Sequence, residues 1–147
     1  MVEQMREADE KQSTAPPLIR LSGISKQFVS SGSTIEILKD ASLDIHRGET
    51  IAVVGESGIG KSTFLHILGT LDHPDAGELL YKGKNVFDMG NTRIAEFRNS
   101  TIGFVFQFHY LLSGFTAVEN VMMPGLICGM NRKAAAEDAE AILVRVG

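Results

Sequence analysis

The chain has 147 residues, enough for one domain with a hydrophobic core. Its residues are 44% hydrophobic and 22% charged, as in ordinary soluble globular proteins. The formal net charge is −4, so the chain lacks the excess of positive charge that is typical of nucleic-acid-binding proteins, and no nucleic-acid partner is predicted. The single cysteine, Cys128, excludes an internal disulfide and fits a reducing compartment.

The first third of the chain predicts a tail and an antiparallel strand pair. Residues 1–17 are acidic and end in two prolines, which is typical of a flexible solvated tail. Residues 18–29 and 35–45 alternate apolar and polar side chains, and the segment between them, 30–33, is a polar turn. Two such strands joined by a turn predict a hairpin.

The next segment carries the strongest motif of the sequence. Residues 51–54 form a short apolar run, which predicts a strand buried on both faces. Residues 55–63 then fit the pattern G-x-x-x-x-G-K-[ST], the phosphate-binding loop of nucleotide-binding proteins. Residues 62–68 predict a helix that stops at Gly69.

The residue types in this motif explain its chemistry. Glycines let the backbone approach a ligand closely, and successive N–H groups together with a helix N-terminus form an anion-binding concavity. Lys61 is expected to reach the β- and γ-phosphates, and the Ser62 hydroxyl to be a ligand of Mg²⁺. The sequence therefore predicts ATP and Mg²⁺ as cofactors. The predicted phosphate-loop residues are Gly55, Glu56, Ser57, Gly58, Ile59, Gly60, Lys61, Ser62 and Thr63.

The remaining residues alternate between predicted strands and helices. Strands are expected at 78–81 and 102–106, the second of them buried, and a short helix at 92–98. Residues 99–118 contain no charged side chain, but polar residues interrupt them, so no membrane insertion is predicted.

Two further helices are expected near the end of the sequence. Thr116 and Glu119 fit a capping box that opens the first of them, and Pro124 is expected to kink or end it. Asn131 can cap the last helix. The last helix is expected to bury one face, made of Ala135, Ala139, Ile142 and Val146.

With these motifs in view, the chain resembles the ATP-binding subunits of ABC transporters from about residue 18 to residue 147. The resemblance is carried by residues 53–63, by 71–78 (LDHPDAGE) and by 102–107 (IGFVFQ). Within the family, residues 108–124 look like the lipoprotein-releasing (LolD-type) subunits, with macrolide-exporter subunits as the nearest alternative. The resemblance implies an α/β fold of the P-loop NTPase type. Its parts are a mainly parallel core sheet, an N-terminal antiparallel β subdomain and the start of a helical subdomain.

The resemblance also implies roles for single residues. Phe28 corresponds to an aromatic residue that stacks on adenine, although core packing is an equally good interpretation of a strand phenylalanine. Gln107 corresponds to a glutamine that contacts Mg²⁺ and the attacking water, in a loop facing the membrane partner. Thr63 corresponds to a residue that binds the α-phosphate. Lys61 and Gln107 are thus the predicted catalytic residues, and Ser62 and Gln107 the predicted metal ligands.

The partners and location follow from the same resemblance. Transmembrane permease subunits are expected at the Gln107 region, and a second ATP-binding subunit is expected to complete a head-to-tail dimer. Such subunits are cytoplasmic and peripheral on the inner face of the inner membrane. The implied function is to bind Mg-ATP and power an export or lipoprotein-release transporter.

The sequence also departs from the family pattern. Catalytically complete members carry a signature loop, an apolar strand ending in an acidic pair and a later histidine, and none of these is found here. We therefore expect residues 18–147 to be the N-terminal part of an ABC-type domain with an incomplete core sheet and weak or no turnover. A small P-loop kinase and a non-catalytic nucleotide-binding module are the alternative functions.

Overall fold

The computed structural model describes residues 15–30 and 32–147, which form two compact units. The first unit runs to Lys61 and resumes at Pro74–Val86, and the second comprises Ser62–His73 and Phe87–Gly147. Most of the predicted acidic tail lies outside the described residues. That tail, and the assignment of residues 18–147 to one domain, stay predictions.

The first unit is built on an antiparallel sheet. Its strands within the described residues are β1 (Ile19–Ser30), β2 (Ser33–Ile45), β3 (Ala76–Tyr81) and β4 (Lys84–Asn85), in the order β2-β1-β3-β4. The alternation that predicts the hairpin is confirmed, because β1 and β2 pair antiparallel from Ile19 opposite Ile45 to Ser30 opposite Ser33. Buried apolar side chains lie along the central strands and just after β4; they are Leu21, Ile24, Leu79 and Val86.

Strand β1 is irregular from Leu21 to Gln27. Its pairing with β2 shifts register three times, between Leu21 and Ile24, between Ile24 and Lys26 and between Lys26 and Gln27. Its pairing with β3 shifts between Ser22 and Ser25. Side chains bridge the irregular stretch: the Ser25 Oγ accepts the Asp40 amide at 3.1 Å. Asp40 itself has a positive φ of 48°, which marks a local departure from strand geometry in β2.

The second unit is helical. Helix α1 (Lys61–Leu68) begins at the last residue of the first unit, and α2 (Asn91–Thr101), α3 (Ala117–Ile127) and α4 (Arg132–Val146) follow. Helices α3 and α4 pack around Met122, Ala135 and Ala139, which are all buried. Among the described residues, none of the helices combines the length and apolar character that a membrane span needs.

The predicted helix starts are confirmed in detail. The Thr116 hydroxyl accepts the Glu119 amide at 3.2 Å, and a Glu119 carboxylate oxygen accepts the Thr116 amide at 3.0 Å, which is a complete capping box. The Asn131 Oδ1 accepts the Ala134 amide at 2.9 Å and caps α4.

Two segments that the sequence predicts to be core strands do not form strands in the structure. Residues 51–54 and 102–106 are not strands, and Val54 and Val105 have relative exposures of 71% and 102%. An apolar run becomes a strand only when a neighbouring strand takes its hydrogen bonds. Within the described residues, neither run is paired in the sheet.

The predictions for α3 and α4 need two smaller corrections. Pro124 does not end α3, which continues to Ile127, and the Cys128 amide donates to the Pro124 carbonyl at 3.0 Å. The other expected effect of Pro124, a kink, stays a prediction. On α4, Ala135 and Ala139 are buried as predicted, but Ile142 and Val146 are exposed. The packing between α3 and α4 therefore covers the first half of α4 and leaves these two side chains of its second half exposed.

Candidate functional site

The loop at residues 55–60 has a backbone that glycine makes possible. Gly58 has φ 81° and Gly60 has φ 106°, both in the left-handed region. At Gly60 space is also limiting, since a Cβ would lie 2.8 Å from the Ile37 Cγ2 and 3.0 Å from the Ile37 carbonyl oxygen. Position 60 therefore excludes a side chain by both its conformation and its neighbours.

Lys61 folds back over this loop. Its Nζ donates to the Gly55 carbonyl at 2.8 Å and to the Glu56 carbonyl at 2.6 Å. An ammonium group has three donors, so these two bonds anchor the charge at the loop and leave a third donor direction. The structure thus brings together the two ends of the motif, the first glycine and the lysine.

The loop also presents backbone donors. The turn inside it is held by a long hydrogen bond from Ile59 N to the Glu56 carbonyl at 3.4 Å. In the described part of the chain, the amides of Ser57, Gly58 and Gly60 donate to no acceptor. Helix α1 follows at once, with unpaired first-turn amides and the positive end of its dipole. This arrangement suits an anion.

Ser62 and Thr63 are the first residues of the second unit and lie in the first turn of α1. Ser62 is exposed, so its hydroxyl can reach a ligand, and Thr63 is half-buried. Among the described residues, no group of three or more His, Cys, Asp or Glu side chains could hold a metal ion.

Phe28 lies near the end of β1 in the first unit. Its ring has a relative exposure of 44%, which is more than the core-packing interpretation expects and is compatible with an aromatic platform. The Lys26 Nζ lies over the ring, 5.5 Å from its centroid. The stacking role of Phe28 stays a prediction.

Gln107 lies in the second unit, in an exposed segment of irregular backbone. Aromatic side chains surround it in sequence: Phe104 and Phe106 stack at 5.2 Å, and Tyr110 meets Phe106 edge-on, also at 5.2 Å. Tyr110 has a positive φ of 46°. Gln107, the predicted second catalytic residue, belongs to a different compact unit from Lys61, and its predicted roles stay predictions.

The sequence of residues 38–147 matches the family model described as ABC transporter. The chain belongs to the ABC transporter family. Family membership confirms the resemblance and sets aside the P-loop kinase alternative.

Relatives in the ABC family include lipoprotein-releasing system ATP-binding proteins named LolD. The chain is 54% identical to that of Myxococcus xanthus and 51% identical to that of Syntrophus aciditrophicus, each over 130 residues. These matches cover 88% of this chain and 58% of each relative. The chain thus spans little more than half the length of the curated relatives it matches.

Solved structures of ABC cassettes share the fold. The dimeric cassette MJ0796 aligns with a TM-score of 0.73 at 34% identity, covering 81% of this chain and 53% of that one. A post-hydrolysis form of MJ0796 with ADP and Pi aligns with a TM-score of 0.75 at 32% identity, covering 84% of this chain and 54% of that one. The predicted P-loop NTPase class is confirmed by this likeness.

Two residues near Phe28 were missed by the sequence predictions. Lys26 precedes Phe28 by two positions in a strand, so the two-residue period could have placed both side chains on one face. Asp75, which contacts Lys26 and Gln27, gave no such signal, because it lies 48 positions from Gln27.

Proposed function

We propose that the loop at residues 55–63 binds the phosphates of Mg-ATP. The observation that carries this proposal is the Lys61 ammonium, held by the carbonyls of Gly55 and Glu56 above a loop with unpaired amides. On nucleotide binding, Lys61 exchanges carbonyl oxygens for the more negative oxygens of the β- and γ-phosphates. The amides of Ser57, Gly58 and Gly60 then donate to the phosphates, and Thr63 contacts the α-phosphate.

Mg²⁺ fits the side chains present. It prefers oxygen ligands, keeps several waters, and is bound in proteins through few side chains together with substrate phosphates. Ser62 is exposed at the start of α1 and supplies a hydroxyl oxygen, and Gln107 supplies an amide oxygen as the second proposed ligand. When bound, Mg²⁺ neutralises charge on the phosphates. The residues of the chain hold and orient the nucleotide.

Phe28 is the proposed platform for the adenine ring. Its exposure supports this role, because a ring that takes part in core packing would be covered. Stacking of a base on an aromatic side chain contributes about 1–3 kcal/mol.

The segment around Gln107 is the proposed contact with transmembrane permease subunits. Its support is the exposure of large apolar side chains, which monomeric proteins rarely group together. They are Phe106, Phe108, Tyr110, Leu111, Leu112 and Phe115. A membrane partner that covers this segment would remove that apolar surface from water.

At the level of the whole protein, we propose the ATPase subunit of a lipoprotein-releasing transporter, peripheral on the cytoplasmic face of the inner membrane. The support is the 54% identity to a protein named as the ATP-binding protein of such a system, and a solved relative that is a dimer. Two ATP-binding subunits would pair head to tail. Turnover by the 147 residues alone is expected to be very slow, because the family's acidic pair and signature loop are not found in the sequence.

Calorimetric titration of the chain with Mg-ATP tests the proposed phosphate site. Lys61→Ala should weaken binding about 10- to 100-fold, because hydrogen bonds to charged groups contribute about 1.5–3 kcal/mol. Lys84→Ala, at an exposed lysine on β4, is the matched control and should bind like the wild type. Equal affinities of Lys61→Ala and wild type would place the phosphates elsewhere.

A further inference from the structure

The end of β1 is held in place by a side chain from outside the strand. The Asp75 Oδ2 accepts the Gln27 amide at 2.6 Å, and the Asp75 amide donates to the Ser25 carbonyl at 2.9 Å. These bonds occur where the pairing of β1 with β2 and β3 shifts register. Asp75 therefore supplies part of the hydrogen bonding that a regular ladder would provide in the stretch leading to Phe28.

Asp75 also faces Lys26. The Asp75 Oδ1 lies 3.8 Å from the Lys26 Nζ, and the Lys26 side chain is only 12% exposed. A lysine side chain with so little exposure loses much of its freedom to move, and the carboxylate offsets part of the hydration that the ammonium loses. The motion of Lys26 is thus restricted.

The fixed ammonium lies against Phe28, with its Nζ 5.5 Å from the ring centroid, which is within the range of a cation–π contact. One face of the ring is therefore taken by a cation. A planar ligand can stack on the face that Lys26 does not occupy. A ring that is held in one orientation before its ligand arrives loses less entropy on stacking.

From this geometry we propose that Lys26, braced by Asp75, is a positioning residue that orients Phe28 for the base of the nucleotide. The inference rests on the proposed function, in which Phe28 stacks on adenine. It adds a positively charged layer to that site, so that the order of the stack is ammonium, phenylalanine ring, purine ring. Lys26 acts through the ring and does not contact the nucleotide.

The first test compares two ligands, Mg-ATP and Mg-tripolyphosphate, which share phosphates but differ in the base. Phe28→Ala should weaken ATP binding about tenfold, and Lys26→Met about threefold, and neither should change tripolyphosphate binding. Lys26→Met should have no further effect in a Phe28→Ala background, because its contribution passes through the ring. Lys26→Arg, which can also stack on the ring, should retain affinity for ATP.

The sheet itself offers a matched control. The Lys82 Nζ lies 5.1 Å from the centroid of the Tyr81 ring, an equivalent cation–π pair with no proposed ligand. Lys82→Met should leave both affinities unchanged. Asp75→Asn keeps Lys26 but removes the carboxylate, and it should weaken ATP binding as Lys26→Met does. It replaces Lys26→Met in the test if that variant fails to fold.

A second readout needs no nucleotide. The chain contains no tryptophan, so Phe28→Trp introduces a single tryptophan at the site, whose fluorescence can be excited apart from that of the two tyrosines. Acrylamide quenching of this tryptophan should rise when Lys26→Ala is added, because one ring face is uncovered, and should not change with Lys82→Ala.

The outcomes separate the two proposals. If the wild type binds no ATP, or Phe28→Ala binds ATP like the wild type, the proposed function of the site fails and the inference with it. If Phe28→Ala weakens ATP binding while Lys26→Met does not, the inference alone is overturned. Equal losses of ATP and tripolyphosphate affinity in Lys26→Met, or unchanged acrylamide quenching, would also overturn it.

Discussion

Gly77 and Gly83 show that the neighbouring atoms decide whether a position in a turn or strand can hold a side chain. Both have a positive φ, 93° for Gly77 and 77° for Gly83, so a side chain at either position is strained. At Gly77, however, a Cβ would lie 2.5 Å from the Gly23 carbonyl carbon and oxygen, whereas at Gly83 nothing lies within 4 Å. Backbone atoms cannot rotate away as a side chain could, so Gly77 allows β1 and β3 to approach each other.

Replacing these glycines separates strain from collision. Gly83→Ala should cost about 1 kcal/mol in the free energy of unfolding, from backbone conformation alone. Gly77→Ala adds the displacement of β1 and should cost about 3 kcal/mol or more. Urea unfolding of both variants checks the difference, and equal costs would show that the close approach of β1 and β3 is not required.

Thr70 is a residue whose environment the sequence does not reveal. It follows α1 with φ 58°, is only 2% exposed, and its Oγ1 has no hydrogen-bond partner among the described residues. Its carbonyl accepts a hydrogen bond from the Arg98 Nη1 at 2.7 Å, which ties the end of α1 to α2. The local sequence pattern predicts that the helix ends here. It cannot predict a contact with an arginine 28 positions away.

At the scale of elements, the starts of α3 and α4 offer a matched pair of caps with different chemistry. Glu119 completes the capping box of α3, and its pKa lies below the ordinary value because Thr116 donates backbone and side-chain hydrogen bonds to the carboxylate. A lowered folded-state pKa means that this contribution to stability is fully present above the ordinary glutamate pKa. It is lost as the pH falls through the lowered pKa. Asn131, which caps α4, is uncharged.

Substitution of the caps should therefore give different pH profiles. Thr116→Ala and Asn131→Ala should each lower the free energy of unfolding by about 1 kcal/mol at neutral pH. On acidification below the ordinary glutamate pKa, the cost of Thr116→Ala should shrink and that of Asn131→Ala should persist. Urea unfolding at both pH values measures this, and parallel profiles would contradict a stabilising bond from the Thr116 hydroxyl to the Glu119 carboxylate.

Elements defined by local signals were predictable from the sequence. Alternation in β1 and β2 and the caps at Thr116 and Asn131 depend on neighbours within a few positions, and the structure confirms them. The runs at 51–54 and 102–106 failed as strands because an apolar composition indicates burial without specifying the partner strand. The periodicity of α4 predicted an apolar face buried along the whole helix, but its second half includes exposed apolar residues. Here too the sequence pattern did not specify which element would cover these side chains.

At the scale of the whole molecule, the candidate site was predictable at its phosphate loop and less so elsewhere. The motif predicted the glycine backbone and the position of Lys61, because the loop is a contiguous segment whose geometry its own residues determine. Phe28 and Gln107 lie in different compact units, far apart in sequence, and their roles stay predictions. The runs at 51–54 and 102–106 carry exposed apolar side chains and are not paired in the sheet of the described residues.

We expect the backbone of residues 55–63 to be the nucleotide site, and amide hydrogen exchange of the chain with and without Mg-ATP can decide this. Mg-ATP should slow exchange at these amides, because donors such as Ser57 N and Gly58 N gain phosphate acceptors. Exchange in the turn at Lys82 and Gly83 should stay unchanged. Binding of Mg-ATP without protection of residues 55–63, or with protection only elsewhere, would mean that the phosphates bind another part of the chain.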